Sequence, residues 1–271
     1  MATLDPNPND TPPARHRSQT PGVGSLRWAE RTSGVLSARD RLRLLGQGLL
    51  MQAEEVPHQL RGRLGFPFRR RAFADPDCLR PPDSQVAKEA EELCRQMRPR
   101  MLVNHSFRTY LWASILGAYR GMRYDEEAVY VGALLHDYGL AEGHSDPPAC
   151  FTLLGAGAAK QIGQHCGWEP RRSDLAAEAI TLHMNLRVSK DAPEAYLVAA
   201  GTQLDVIGRG FWHVHPDTVA AVLEHYPRGE VKREMLTLFR EQSKRHPGTR
   251  ARLYQRYLGL PLLIRSAPFK G

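Results

Sequence analysis

Cysteine is scarce in this chain of 271 residues, and the four present, Cys78, Cys94, Cys150 and Cys166, form no C-x-x-C pair. That spacing excludes a zinc knuckle and argues against a secreted disulfide framework. Long apolar runs are missing too. Nothing approaches the roughly 20 consecutive apolar residues a membrane helix needs, and the N-terminal stretch MATLDPNPNDTPPARHRSQT has no apolar signal core. A soluble, cytoplasmic protein with no membrane partner is the expectation. Runs that alternate apolar and polar residues are also absent, so strands are at most incidental. Acidic residues are outnumbered, 29 Asp and Glu against 37 Lys and Arg, for a formal net charge of +8. The densest basic cluster, RRRAF from Arg69, lacks the interleaved aromatics of a single-strand binder. A solvated basic surface is therefore expected rather than a nucleic-acid partner. What is present is a 42% apolar content, enough for a substantial core.

Three segments follow from composition. Residues 1–34 are rich in Pro, Asn, Asp, Ser, Thr and Gly and read as a disordered leader. Residues 35–80 read as a helical arm and linker: Ser37 caps the leucine-rich SARDRLRLLGQGLLMQ, and Pro, Gly and Asp then interrupt. Residues 81–271 read as successive helices. SQVAKEAEELCRQM places Val86, Ala90, Leu93 and Met97 on one stripe, and SFRTYLWASILGAY does so with Leu111, Ile115 and Ala118. Asp125 caps DEEAVYVGALLHD, and Ser173 is read as the cap of SDLAAEAITLHM. Pro193 and Pro216 sit at first-turn positions of two more helices, and EVKREMLTLFREQSKRH closes the set. The expected fold is an all-α helical bundle with a flexible N-terminal extension.

Ionisable residues interrupt the apolar stripes at a few places. His136 and Asp137 sit together where a core helix ends, and a charge there is costly to bury unless it is paired. His105 opens a helix on the side that continues through Arg108, Thr109 and Trp112. His183 follows Ala176 and Ile180, although one histidine on an apolar face is by itself more often a core residue. Asp205 follows Val198 and Gly201 in mid-helix, where an unpaired carboxylate is expensive. Imidazole nitrogens and carboxylate oxygens suit zinc, iron, manganese or magnesium. An open site of this kind would lower the pKa of a bound water toward roughly 7.

The order of a lone His, a helix ending in HD and a distant Asp resembles the HD-domain superfamily of metal-dependent hydrolases. The blocks NHSFRTYLWA, GALLHDYGL, AITLHM, LDVIG and HPDTVAAVLEHYPR, in that order, resemble its cyanamide hydratase-like branch, from about Pro81 to beyond Arg228. The resemblance implies an HD-domain helical bundle and one divalent metal ion, zinc or iron foremost and manganese acceptable, held by His105, His136, Asp137 and Asp205. It implies a small-molecule substrate, cyanamide or nitrile-like, attacked by a metal-activated water. Asn104 and Arg108 flank the first ligand and orient it or meet substrate, while Arg108 could equally pair with a neighbouring carboxylate. His183 lies in a block that faces the site, where it could bind a second metal, donate a proton or close the pocket.

There are departures from the pattern. Relatives carry acidic residues where CFTLLGA places Thr152 and Leu154, and many phosphohydrolases of the superfamily carry Glu where Leu140 stands. Glu142, His144 and Asp146 of the following loop are candidate replacements, which makes His183, Asp137, Arg108 and His144 the catalytic candidates. Alternative readings are a phosphohydrolase acting on a nucleotide or phosphomonoester, a dinuclear-iron oxygenase, and a catalytically degenerate binding protein. The oxygenase would need two further histidines such as His165 and His183, yet His165 reads as a helix-end cap. His213 and His215 of HVH read as surface residues, and a homo-oligomer is left open.

Overall fold

The computed structural model describes residues 22–66, 71–75, 79–144 and 150–269. Among them the chain forms α1 (Leu26–Thr32), α2 (Ala38–Arg63), α3 (Gln85–Gln96), α4 (Arg100–Tyr119), α5 (Glu126–Leu135), α6 (Thr152–His165), α7 (Pro170–Leu182), α8 (Pro193–Ile207), α9 (Pro216–His225), α10 (Val231–Arg245), α11 (Arg250–Tyr257) and α12 (Leu260–Ser266). An isolated bridge between Ala72 and Val214 takes the place of a sheet among these residues. The all-α reading holds.

Local chemistry sets the helix starts. Ser37 and Asp40 form a reciprocal capping box at α2, each side chain accepting from the other's backbone N–H, at 3.2 and 3.1 Å. Ser84 accepts from Ala87 N–H at 3.1 Å at the start of α3. Asp125 accepts from Ala128 N–H at 3.0 Å at the start of α5, and Arg172 grips the same carboxylate through two bonds of 2.6 and 2.8 Å. At α7 the expectation fails: Ser173 is buried inside the helix, which starts at Pro170 with Glu169 as its cap residue. Proline's fixed φ suits the first turn and moves the start upstream.

The core is built around α4, α5, α7 and α8. From Met101 to Gly117, α4 is buried at every residue except Asn104, the pattern of a helix enclosed on all sides. Gly201 of α8 lies against α4 so closely that a Cβ there would press on the Thr109 carbonyl oxygen. One turn along from this contact in opposite directions stand Asp205 and His105, so the antiparallel crossing itself brings the two together.

The leader expectation needs correcting at its end. Residues 26–32 form α1, with Leu26, Trp28 and Ala29 buried. A seven-residue helix is not stable alone, and docking supplies what local propensity lacks. Each large apolar side chain fully buried contributes about 1.5–3 kcal/mol. Asn185 Nδ2 donates to Val23 O at 2.7 Å, Leu26 N–H donates to the Glu178 carboxylate, and Arg250 lies over the Trp28 ring. Residues 1–21 lie outside the described part. At the other end, α11 and α12 extend the helical set beyond the last helix read from the sequence.

Candidate metal centre

Two helices end at this site in the same way. His136 and His183 are the C-cap residues of α5 and α7. Each ring donates its Nδ1–H to the carbonyl three residues earlier in its own helix, His136 to Ala133 O at 2.8 Å and His183 to Ile180 O at 2.6 Å. A carbonyl only accepts, so each ring carries a hydrogen on Nδ1 and turns Nε2 to the site. The negative ends of two helix dipoles therefore converge here, a setting that favours a cation. His105 reaches the same point from α4, its Nδ1–H donated to Asp205 Oδ2 at 2.8 Å, which turns Nε2 toward His136.

The resulting cluster gathers metal-type donor atoms at close range. His105 Nε2 and His136 Nε2 face each other at 3.0 Å, and Asp137 Oδ2 lies 3.5 and 3.2 Å from them. His183 Nε2 lies 3.5 Å from Asp137 Oδ1, an oxygen that is buried and accepts no hydrogen bond. None of the four residues is more than 2% exposed, so water does not screen the interactions among them. Burial opposes charge on His105, yet its bonds to Asp137 and Asp205 carry its pKa above the usual value. Burial, reinforced by His136, depresses His183 to about 3, so its lone pair is available at neutral pH. Burial alone would raise Asp137, but the surrounding imidazoles hold its carboxyl well below the ordinary range. Imidazole nitrogens whose other N–H is tied to a carbonyl or carboxylate, together with a carboxylate that has one oxygen without a hydrogen bond, are the donor set of a borderline divalent cation.

Asp205 does not join them. Its Oδ1 accepts from Arg108 Nε at 2.8 Å, Trp112 Nε1 at 3.0 Å and Arg228 Nη1 at 3.1 Å, and its Oδ2 accepts from Arg108 Nη2 and His105 Nδ1 at 2.8 Å each. It stands on the far side of the His105 ring from the other donors. Asp205, expected at the same ligand point, lies outside the group formed by His105, His136 and Asp137, whose donor atoms are within 4.8 Å of one another, and His183 Nε2 approaches Asp137 Oδ1. The physical reason is competition: two buried guanidiniums and an indole saturate the carboxylate. Burial alone would raise its pKa, but Arg108 and Arg228 hold it well below the ordinary range. Arg108 thus pairs with a neighbouring carboxylate, one of the two roles open to it. Arg228 was missed by the sequence reading, because it lies in a loop where no periodicity marks it, although the last family-like block ends on it.

The remaining candidates scatter. His144 packs edge-on against Tyr138, with ring centroids 4.7 Å apart. With Leu140, Ala141 and Glu142 it lines a cavity of about 450 Å³ closed on its other side by Glu234, Leu238 and Glu241 of α10. Asp146 lies outside the described residues. Thr152, in the place of an acidic residue, is buried and within 3.0 Å of Cys150 Sγ. His165 is at the surface beside Glu89, His213 packs against His58, and His215 caps α9, so none of the three reaches the centre. Behind His183, Phe151 lies 5.9 Å away between ring centroids and in turn packs on Phe239 of α10, which makes the wall apolar. No helix among the described residues is long and apolar enough to cross a membrane.

Residues 102–264 match the family described as HD domain. The cyanamide hydratases DDI2 and DDI3 of Saccharomyces cerevisiae are each 27% identical to the chain over 158 residues, covering 55% of it and 68% of the yeast protein.

Proposed function

The chain belongs to the HD domain family, and from that premise we propose that it is a metal-dependent hydratase or hydrolase that adds water to a small neutral electrophile, a nitrile-like carbon foremost. One observation carries the reading: three imidazole Nε2 atoms and a carboxylate with one oxygen that accepts no hydrogen bond converge in a dry interior. A divalent ion bound there supplies a nucleophilic water at neutral pH and polarises the substrate. His105, His136 and Asp137 hold the ion, with His183 beside Asp137, while Asp205, clamped by Arg108 and Arg228, fixes the tautomer and aim of His105.

Adding water to a nitrile-like carbon bonds its oxygen to that carbon and leaves both its hydrogens on nitrogen, so a group outside the donor set must move a proton. His183, neutral through burial, is a poor donor, and the low pKa of Asp137 makes it a poor base. That leaves His144 and Glu142, at the cavity that opens from the loop after Asp137. The Phe151 and Phe239 wall and the complete burial of the donors favour a compact, uncharged substrate. Arg108 is committed to Asp205 and to the Tyr226 and Pro227 carbonyls, which argues against its binding a phosphomonoester. Similarity to the two yeast cyanamide hydratases supports the same choice.

The test is a steady-state assay of protein loaded with zinc or iron on cyanamide, small nitriles and amides, with p-nitrophenyl phosphate alongside and His136→Ala as control. Turnover of a nitrile-like compound that His136→Ala abolishes is expected. Turnover of the phosphomonoester alone, or activity that persists in the variant, refutes the proposal.

A further inference from the structure

Far from the buried centre, the end of α6 carries two residues of metal-binding type side by side. His165 is its last residue and Cys166 its C-cap, whose N–H bonds to Ile162 O at 2.9 Å. Gly167 then adopts a left-handed φ of 77°, and Trp168 N–H returns to Gly163 O at 2.7 Å. This closing turn fixes the backbone of both residues. Across from them on α3, Glu89 is held in place by Gln85, whose Nε2 donates to Oε1 at 2.9 Å, and its Oε2 sits 3.1 Å from His165 Nδ1. One donor atom each from Glu89, His165 and Cys166 lies within 4.8 Å of the other two.

We propose that Glu89, His165 and Cys166 form a second metal site, open to solvent, that takes one borderline divalent cation, zinc foremost, and clips α3 to the end of α6. A carboxylate, an imidazole and a thiolate suit zinc, and three protein ligands leave a fourth position for water. On binding, the Cys166 thiol releases its proton to solvent. The His165 hydrogen moves to the exposed Nε2, so that Nδ1 binds the ion that replaces its hydrogen bond to Glu89. The site shares no residue with the buried centre and does not depend on the function proposed for it. It also means that two metal equivalents per chain do not signify a dinuclear centre.

Cobalt distinguishes the sites, because only this one has a thiolate. The full-length protein, carrying its buried ion, is titrated with Co²⁺ while the near-ultraviolet sulfur-to-cobalt charge-transfer absorption is followed. A band that saturates at one equivalent is expected. It should be lost in Cys166→Ser, weakened in Glu89→Gln and in His165→Ala, and retained in His136→Ala. Wild-type protein that gives no band, or a band that survives Cys166→Ser, overturns the proposal. Should Cys166→Ser fold poorly, His165→Ala at its exposed position decides: an unchanged band is equally fatal.

Discussion

Replacing Asp205 with Asn keeps the volume and removes the charge, and it separates an orienting carboxylate from a metal ligand. Asp205 is fully buried and receives two bonds from Arg108, one from Arg228, one from Trp112 and one from His105. Without its charge, two buried guanidiniums lose the anion that pairs with both of them, and breaking a buried pair on one side costs about 3–5 kcal/mol. At roughly 2–4 °C per kcal/mol for a domain of this size, the midpoint should fall by about 6–20 °C. His105 loses the acceptor that fixes its tautomer, for which the expected loss of metal affinity is about 10–100-fold. Thermal unfolding by circular dichroism, paired with a chelator competition, reads both quantities. An unchanged midpoint refutes the clamp. Failure to bind at metal concentrations roughly 1,000-fold above those the native protein needs, well beyond the orienting effect, would make Asp205 a ligand.

Stripping the ion with a chelator should lower the unfolding midpoint and zinc should restore it, since ligand at about 1,000 times its Kd stabilises the native state by ~4 kcal/mol; a midpoint indifferent to chelation would contradict metal binding by the buried cluster. His144→Gln should reduce kcat by about 10²–10⁴-fold with metal content unchanged, and full activity in that variant would remove His144 from proton transfer. The Asp125 carboxyl is raised by burial but held below its usual 3.8 overall by Arg172 and the Ala128 N–H. Its contribution is therefore present above pH 3.8 and lost as pH falls through the lower folded value. Asp125→Asn, which keeps a capping side chain, should cost about 0.5–1 kcal/mol at pH 7, and the gap to wild type in urea melts should close in acid. A gap constant with pH would show that the Arg172 pair contributes nothing.

Several of these features are legible in the linear chain. Ser37, Ser84 and Asp125 lie just ahead of apolar periodicity, and each caps its helix through a bond that depends on its immediate neighbours alone. His136 and Asp137 were conspicuous because they end an otherwise apolar helix. The position of Asp205 was not legible in the same way. A stripe of apolar residues gives the face on which a carboxylate sits, but which nitrogen of an opposing imidazole it meets depends on the α4–α8 separation and on Arg228 from a loop. Nor was α1, since seven residues are too few to establish a period and its order comes from burying Trp28 against distant helices. Ser173 misled because its side chain makes it a good cap, while Pro170 upstream had already committed the backbone.

The bonds from His136 and His183 to carbonyls of their own helices make each ring's aim a property of a four-residue stretch, Ala133 to His136 and Ile180 to His183. Such stretches behave as prefabricated parts. Drift in α10 or in the loop after Leu140 can widen or narrow the cavity between them while these two rings keep their bearing, so the shape of that cavity is free to diversify without disturbing the aim of the imidazoles.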